Sequence, residues 1–251
     1  LFRVDVGKQV HYALDEAEFG LRPLIGTPGS AYLGELVPLP FPVRQAAVRG
    51  DTALVVAGEP GALTAFHLTG LHGGSISQYE LAPAGRLWLN ESGTLALLQN
   101  GTEVRLVSGL PVGPEVGPVV ALEGLSAVAF ESDRPCVVLA SNIEGGGGVR
   151  LETLCADRPG ELIWLRTIDG ARSTAIAYTR EAGLFLTDTN SRRILRIPAP
   201  IATEPVRVAA EEIDDALALA AISDSEVLAA RWSIANLLLL SAACASGLIA
   251  L

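Results

Sequence analysis

The sequence predicts an all-β fold built from repeated antiparallel units, and three observations support this prediction. Nearly half of the 251 residues are apolar and only 18% are charged, which indicates a chain that buries much of its backbone. The 26 Gly and 15 Pro residues recur at intervals, as is typical of short strands joined by tight turns. Apolar runs of strand length also recur at a nearly constant spacing. Together these features favour stacked four-stranded sheets.

The repeat consists of five apolar runs that hold the same place in successive units. The runs begin 42, 41, 48 and 43 residues apart. A small-residue or apolar run and a tight turn precede each of them, and a second turn and another strand follow. The second turn of one unit is Asn100-Gly101, a strong hairpin signal because both central residues of a type I′ turn need positive φ. The runs start at Thr52, Thr94, Pro135, Gly183 and Glu226.

A fourth strand is predicted in most units, and four antiparallel strands every 40 or so residues is the period of β-propeller blades. The sequence therefore predicts a single propeller domain, residues 1–251, of about six blades. Five repeats are complete, and residues 1–42 form a partial N-terminal blade and a connection rich in Gly and Pro. The five repeats are 43–84, 85–124, 125–171, 172–214 and 215–251.

The partial blade carries candidate strands at 1–6, 10–14 and 19–25. A propeller ring usually closes through a blade to which both termini contribute, so we expect these strands to be its outer half. The fifth repeat uses the chain up to Leu251. The sequence therefore predicts an unusual closure, or strands supplied from beyond Leu251 or by a neighbouring subunit. An open blade edge is a site for strand addition, and we expect a protein partner or self-association there.

Residues 184–197 carry the most specific local pattern, a strand, Asp188, a polar turn, Arg193 and an Ile-rich strand. This segment resembles the NHL repeat. Asp188 and Arg193 are predicted to face each other across the hairpin, where an ion pair would hold the register. The other repeats match only in spacing, as in NHL-like and YVTN-like propellers of exported bacterial proteins. The resemblance implies a propeller that serves as a binding platform or, less often, as a hydrolase or lyase.

Two cysteines bear on the cellular compartment. Cys136 and Cys155 flank the glycine-rich loop 143–148, and a symmetric hairpin places them opposite each other. We predict a disulfide, with two buried thiols as the alternative. Disulfides persist mainly outside the cytoplasm, so the expected location is extracytoplasmic: periplasmic, cell-surface or secreted. Cys244 is left over and is expected to be buried.

The charge pattern argues against several partners. A net charge of -10 opposes nucleic-acid binding, which needs a clustered basic surface. Residues 233–251 lack charge, but polar and small residues interrupt them, so a buried strand pair is favoured over a membrane helix.

No cofactor and no metal site are predicted. The three His residues lack zinc-ligand spacing, and nucleotide-binding and nucleophile-elbow motifs are missing from the sequence. The acidic residues near 211–215 are expected to lie on a solvated loop, and the tripeptide 49–51 (Arg-Gly-Asp) is expected to form the turn between the first two strands of a blade.

These observations predict a non-catalytic propeller that binds, scaffolds or self-assembles outside the cytoplasm. The alternative is a propeller hydrolase or lactonase with a metal in its central channel. That alternative needs several carboxylates, Asn or His on the inner strands of different blades. The inner strands are mainly Ala, Val and Leu, and Arg86, Asn90 and Glu131 lie only at their ends.

Overall fold

A computed structural model describes residues 11–25, 30, 32–72, 75–210, 217–221, 226–231 and 237–241. Within these residues the regular structure is β-strand, apart from one 3₁₀ turn at Glu144–Gly146. The chain divides into two compact units, residues 1–117 and 118–251, which we describe separately.

Unit 1 contains three antiparallel sheets whose strands follow in chain order: β1-β2-β3, β4-β5-β6-β7 and β8-β9-β10-β11. We call the first of these the N-terminal sheet. The strands are β1 (His11–Asp15), β2 (Gly20–Ile25), β3 (Tyr32–Leu33), β4 (Val43–Arg49), β5 (Thr52–Ala57), β6 (Thr64–Thr69), β7 (Ser77–Pro83), β8 (Arg86–Leu89), β9 (Ala96–Asn100), β10 (Glu103–Ser108) and β11 (Glu115–Val116).

Unit 2 begins with the two-residue strand β12 and continues with sheets β13-β14-β15-β16, β17-β18-β19-β20 and β21-β22-β23. We call β13–β16 the disulfide sheet. The strands are β12 (Val120–Ala121), β13 (Leu125–Phe130), β14 (Cys136–Ile143), β15 (Gly148–Cys155), β16 (Leu162–Asp169), β17 (Ile176–Thr179), β18 (Gly183–Asp188), β19 (Arg193–Ile197), β20 (Arg207–Ala210), β21 (Leu217–Ala221), β22 (Glu226–Arg231) and β23 (Leu237–Ser241).

These sheets confirm the β-propeller fold class. Four of the predicted repeats each hold one sheet of consecutive antiparallel strands, and the repeat 215–251 holds β21–β23. Of the N-terminal candidates, 10–14 and 19–25 correspond to β1 and β2, whereas 1–6 lies outside the described residues. The two-residue strand β3 was missed. That all of 1–251 forms one domain stays a prediction.

Both faces of the second strand of a sheet are covered, which explains why the sequences of these strands are continuous apolar runs rather than alternating ones. Five consecutive residues of β5, 53–57, are buried. Leu54 and Val56 pack with Leu87 and Leu98 of the following sheet, while Val55 packs toward the N-terminal sheet. In unit 2, β18 is buried along its whole length.

Side-chain amides link successive sheets within each unit. The Gln45 amide donates to the Leu87 carbonyl at 2.7 Å and accepts the Leu87 N–H at 2.9 Å. Asn142 makes the same pair of bonds with the Ser173 backbone, both at 2.9 Å. Each side-chain amide thus bonds both the N–H and the C=O of one buried backbone residue.

Candidate interaction edge of the N-terminal sheet

The hairpin of β1 and β2 is held by Asp15, the last residue of β1. Its Oδ1 accepts the backbone N–H groups of Ala17 and Glu18 at 3.1 and 3.2 Å, which closes the turn. Its Oδ2 lies 2.6 Å from Nε of Arg22, which also donates to the Gly34 carbonyl at 3.0 Å. The hydrogen bond from Arg22 lowers the pKa of Asp15 below its usual value.

Backbone bonds on the far side of β2 determine which way β1 points its own groups. Gly34 donates to the carbonyl of Pro23 and Val37 to the carbonyl of Leu21, both at 2.8 Å. Both carbonyls therefore point away from β1. A residue in an antiparallel strand directs its N–H and its C=O to the same side of the strand. Pro23 and Leu21 are thus in non-hydrogen-bonded pairs with their β1 partners.

Those partners are Tyr12, opposite Pro23, and Leu14, opposite Leu21. Their N–H and C=O groups must therefore point away from β2. Within the described part of the chain, β1 pairs only with β2. Tyr12 and Leu14 thus present two donors and two acceptors along an open edge.

The same two residues line a cavity of about 380 Å³. One wall is formed by the N-terminal sheet through Tyr12, Leu14 and Leu21, and the other by residues 46–50 at the end of β4. This volume falls within the range of ligand-binding pockets. Most of the lining residues are aliphatic, but the surface they present to the cavity is more polar than apolar.

Arg49 also lines this cavity, but its side chain extends toward the turn between β8 and β9 rather than toward the N-terminal sheet. Its Nε donates to the Glu91 carbonyl at 3.2 Å, and its Nη1 donates to the Val48 carbonyl at 2.9 Å. The Cβ and Cγ of Arg49 lie against Gly93, where an added Cβ would come within 3.3 Å of both. The guanidinium is therefore held beside the turn between β8 and β9.

Beside the cavity, Asp51 organises a polar cluster with His72 and Tyr12. The Asp51 carboxylate accepts the backbone N–H of His72 at 2.5 Å, and its Oδ1 lies 3.6 Å from Nδ1 of the same residue. The Tyr12 ring stacks on His72 at 5.9 Å and its hydroxyl donates to the Leu71 carbonyl at 3.0 Å. Burial and the Asp51 charge raise the pKa of Tyr12. These bonds fix Tyr12 beside the open edge.

The outer part of the N-terminal sheet exposes several apolar side chains. Leu24 faces Leu33 and Ile25 faces Tyr32 across β2 and β3. Between 37% and 62% of each side chain is accessible, which is unusual for four large apolar residues in cross-strand contact. Binding features thus concentrate in this sheet.

The predicted disulfide is confirmed. Cys136 and Cys155 are directly opposite each other in the register of β14 and β15, and their sulfurs are bonded. Asp157 is exposed nearby, and these three residues are the one set of three potential metal ligands found among the described residues. Because both sulfurs are in the disulfide, the set offers no thiolate.

Asp188 and Arg193 occupy opposite positions in β18 and β19, as the register requires. The Asp188 carboxylate accepts the N–H groups of Arg172 and Asn190, at 3.1 and 3.2 Å, and the Ser191 hydroxyl. Asp188 therefore ties the hairpin turn to the start of its own sheet. The ion pair with Arg193 stays a prediction.

Glu131, at the end of an inner strand, has a structural environment. Its carboxylate is almost fully buried, and Nε and Nη2 of Arg134 approach the same oxygen at 2.6 and 2.5 Å. Burial raises the pKa of Glu131 despite the Arg134 charge. Asn90, another inner-strand end, accepts the N–H groups of Thr94 and Leu95 and so closes its own turn. The channel-metal alternative stays a prediction.

The candidate edge could not be read from local patterns. Its clearest sequence signals are Pro23 inside a strand and the pair Asp15 and Arg22, which only a hairpin register brings together.

No helix within the described residues has the length and apolarity needed to span a bilayer.

No family model matches the sequence, and no curated protein matches it significantly. Solved structures with the propeller fold do match. A functionally unknown protein from Desulfotomaculum acetoxidans is 11% identical, with 96% of this chain and 78% of that chain covered and a TM-score of 0.67. YCF48 bound to D1 peptide is 15% identical, with coverage of 88% and 71% and a TM-score of 0.58. The PQQ-bound aldose sugar dehydrogenase of Streptomyces coelicolor is 11% identical, with coverage of 92% and 90% and a TM-score of 0.55.

These three neighbours comprise a protein of unknown function, a peptide-bound protein and an enzyme. At such low identity the similarity shows the fold alone. The chain has the β-propeller fold, and its function must be argued from its own edge and cavity.

Proposed function

We propose that this protein is a non-catalytic, extracytoplasmic binding module that takes up an extended segment of a partner protein by β-strand addition to β1. The observation that carries the proposal is the outward direction of the backbone groups of Tyr12 and Leu14, two residues that also line a cavity. Unpaired edge groups bind a strand through main-chain hydrogen bonds, and a neighbouring cavity selects its side chains.

The geometry defines the ligand's form. Two residues separated by one position expose their backbone groups, so a strand of four or five residues would engage all four groups. Alternate side chains of that strand would point toward the cavity, whose walls include Leu14, Leu21 and Val48. The expected ligand is therefore a short extended segment with small or β-branched residues at alternate positions.

Two further observations fit this role. The disulfide supports a location outside the reducing cytoplasm. The YCF48 neighbour is described as bound to a peptide, which shows that a propeller of related fold binds protein segments. A second copy of this chain is one protein that could supply the strand, and the protein would then self-associate.

Fluorescence anisotropy with a labelled, C-terminally amidated probe peptide, Thr-Val-Thr-Val-Thr-Val, tests the proposal. The wild-type protein should bind the probe, and Leu14→Pro should abolish binding because it removes an edge N–H that makes no bond within the hairpin. Leu14→Val keeps the N–H and is the matched control. Light scattering at micromolar concentration should show whether copies associate and whether Leu14→Pro separates them.

A modified probe keeps the test valid if Leu14→Pro does not fold. Methylating every backbone amide nitrogen of the probe removes the probe's own donors without changing the protein. Binding of this probe should be lost. Equal binding of the methylated and unmethylated probes, or no binding of the unmethylated probe by the wild-type protein, would disprove strand addition.

A further inference from the structure

We infer that Ala46 of β4 sets the size of the side chains that the incoming strand can carry, because its single methyl group leaves open the space that those side chains enter. This inference rests on the proposed function and names the residue that determines its specificity. Ala46 lines the same cavity as Tyr12 and Leu14. The partner's chemistry is thereby limited to a segment with small or β-branched residues facing β4.

The side chains of β4 alternate between its two neighbouring sheets, as the pleat of a strand requires. Ala46 and Val48 pack with the hydrophobic cluster that includes side chains of β1 and β2. Ala47 packs with the cluster of the following sheet, and Arg49 reaches the turn between β8 and β9. Ala46 and Val48 therefore face the N-terminal sheet across the cavity, whereas Ala47 and Arg49 do not.

The side chains of an added strand would meet this face of β4. A strand added to β1 continues the pleat of the sheet, so the residues opposite Tyr12 and Leu14 direct their side chains to the same face as those two residues. That face is turned toward Ala46 and Val48. Packed sheets lie only about 10 Å apart, so a larger side chain at position 46 would occupy the space that the incoming residue needs.

The space beside Ala46 is present before any strand binds. Tyr12 does not turn into it, because its hydroxyl donates to the Leu71 carbonyl at 3.0 Å and its ring stacks on His72 at 5.9 Å. Val55, opposite Ala46 in the register of β4 and β5, is fully buried. The room left for an incoming side chain therefore depends on the residue at position 46.

Three amidated probe peptides test this inference: Lys-Ala-Lys-Ala-Lys-Ala, Lys-Val-Lys-Val-Lys-Val and Lys-Leu-Lys-Leu-Lys-Leu. All three carry the same charge, and the cost of burying an ammonium group keeps Lys out of the cavity, so the varied residues face it. The wild-type protein should bind the Val probe about fourfold more tightly than the Ala probe, which corresponds to one further buried methyl group.

Ala46→Leu should reverse this preference. It should bind the Ala probe with wild-type affinity and the Val probe about tenfold more weakly than the wild-type protein does, because the added side chain overfills the cavity. Ala13→Leu is the matched control. Ala13 lies between the two edge residues of β1, opposite Arg22, and its side chain is on the other face of the sheet. This variant should keep the wild-type preference.

Ala46→Gly keeps the test valid if Ala46→Leu does not fold, because it enlarges the cavity instead of filling it. The affinity for the Leu probe relative to the Val probe should rise about fourfold, the equivalent of one methyl group. An unchanged ratio would contradict the inference. So would equal binding of the Ala and Val probes by the wild-type protein, an unchanged order in Ala46→Leu, or a reversed order in Ala13→Leu.

A methylated probe separates this inference from the proposed function. If one of those contrary results is found but methylating every backbone amide nitrogen of the Val probe still abolishes binding, size selection by Ala46 is wrong and strand addition stands. If the methylated Val probe binds the wild-type protein as well as the unmethylated one, or if neither binds, strand addition is wrong, whatever Ala46 does.

Discussion

The N-terminal sheet and the disulfide sheet are built from the same kind of antiparallel hairpins but serve different ends. In the disulfide sheet, β14 and β15 pair over eight residues and are buried over most of their length. In the N-terminal sheet, β3 has two residues, both exposed, and β1 pairs only with β2 among the described strands. Stability is expected to be concentrated where strands are long and covered on both faces, and the proposed binding lies where they are short.

The two regions also differ in how they satisfy polar groups. In the disulfide sheet, β14 and β15 each pair with a strand on both sides, so their backbone groups have ladder partners, although the side-chain oxygen of Ser141 has none among the described residues. Along β1, the backbone groups of Tyr12 and Leu14 point away from β2. A sheet that satisfies its own groups gains rigidity, whereas one that leaves them open can bind another strand.

The largest effect on this comparison should come from removing the disulfide. Cys136→Ser with Cys155→Ser releases a loop with a sequence separation of 19 and should lower the free energy of unfolding by about 3 kcal/mol. Urea denaturation under oxidising conditions measures the change. Dithiothreitol should lower wild-type stability to the level of the double variant and leave that variant unchanged. Equal stability of the two oxidised proteins would contradict the structural role assigned to the bond.

The second effect should come from Arg134→Ala, which leaves the buried carboxylate of Glu131 without its cation. We expect a loss of about 2 kcal/mol at pH 7, less than for a fully buried pair because 60% of the Arg134 side chain is exposed. Burial already raises the pKa of Glu131, and losing the Arg134 charge should raise it further. The loss should therefore shrink on acidification, because the native state then binds the proton more readily than the unfolded chain. Adding Glu131→Gln should restore stability at pH 7.

The third effect is a pH dependence of the unfolding free energy that comes from one buried histidine of unit 1. His67 in β6 is buried, and neither ring nitrogen has a partner among the described residues. Burial lowers its pKa below 6.5, so the unfolded chain takes up a proton at a pH where the native state does not. Stability should fall by about 1 kcal/mol from pH 7 to pH 5 on this account. His67→Leu should remove that part of the decline, measured by urea denaturation at both pH values; an unchanged decline would contradict it.

The smallest effect should come from β3, on the side of the N-terminal sheet opposite to β1. Tyr32→Ser with Leu33→Ser changes two exposed side chains, and we expect unfolding free energy to change by no more than about 0.5 kcal/mol. Native-state hydrogen exchange should show the amides of β3 exchanging much faster than those of β14. Comparable protection in both strands would remove the distinction between an open and a covered sheet.

Much of the fold could be predicted from the sequence because its signals are local. Apolar runs at regular spacing predicted the blades, and a hairpin centred on a glycine-rich loop predicted that Cys136 would face Cys155. A two-residue strand such as β3 gives no such signal, because Tyr32 and Leu33 are strand residues only by virtue of pairing with β2.

The candidate site was less predictable because it depends on contacts between distant segments. Arg49 was expected to lie in a turn, but its proximity to Tyr12 depends on the packing of β4 against the N-terminal sheet. The direction of the Tyr12 and Leu14 backbone groups depends on bonds that Gly34 and Val37 make on the opposite side of β2. Only the prediction that a blade edge is open to strand addition pointed toward this region.

Pro23 has a consequence for how faithfully the N-terminal hairpin assembles. If β2 slipped by one residue relative to β1, Pro23 would turn toward β1, where its missing N–H would cost a ladder bond. A proline in the middle strand therefore disfavours that register. Under the proposed strand addition, this preference would help each molecule to present the same two residues to an incoming strand.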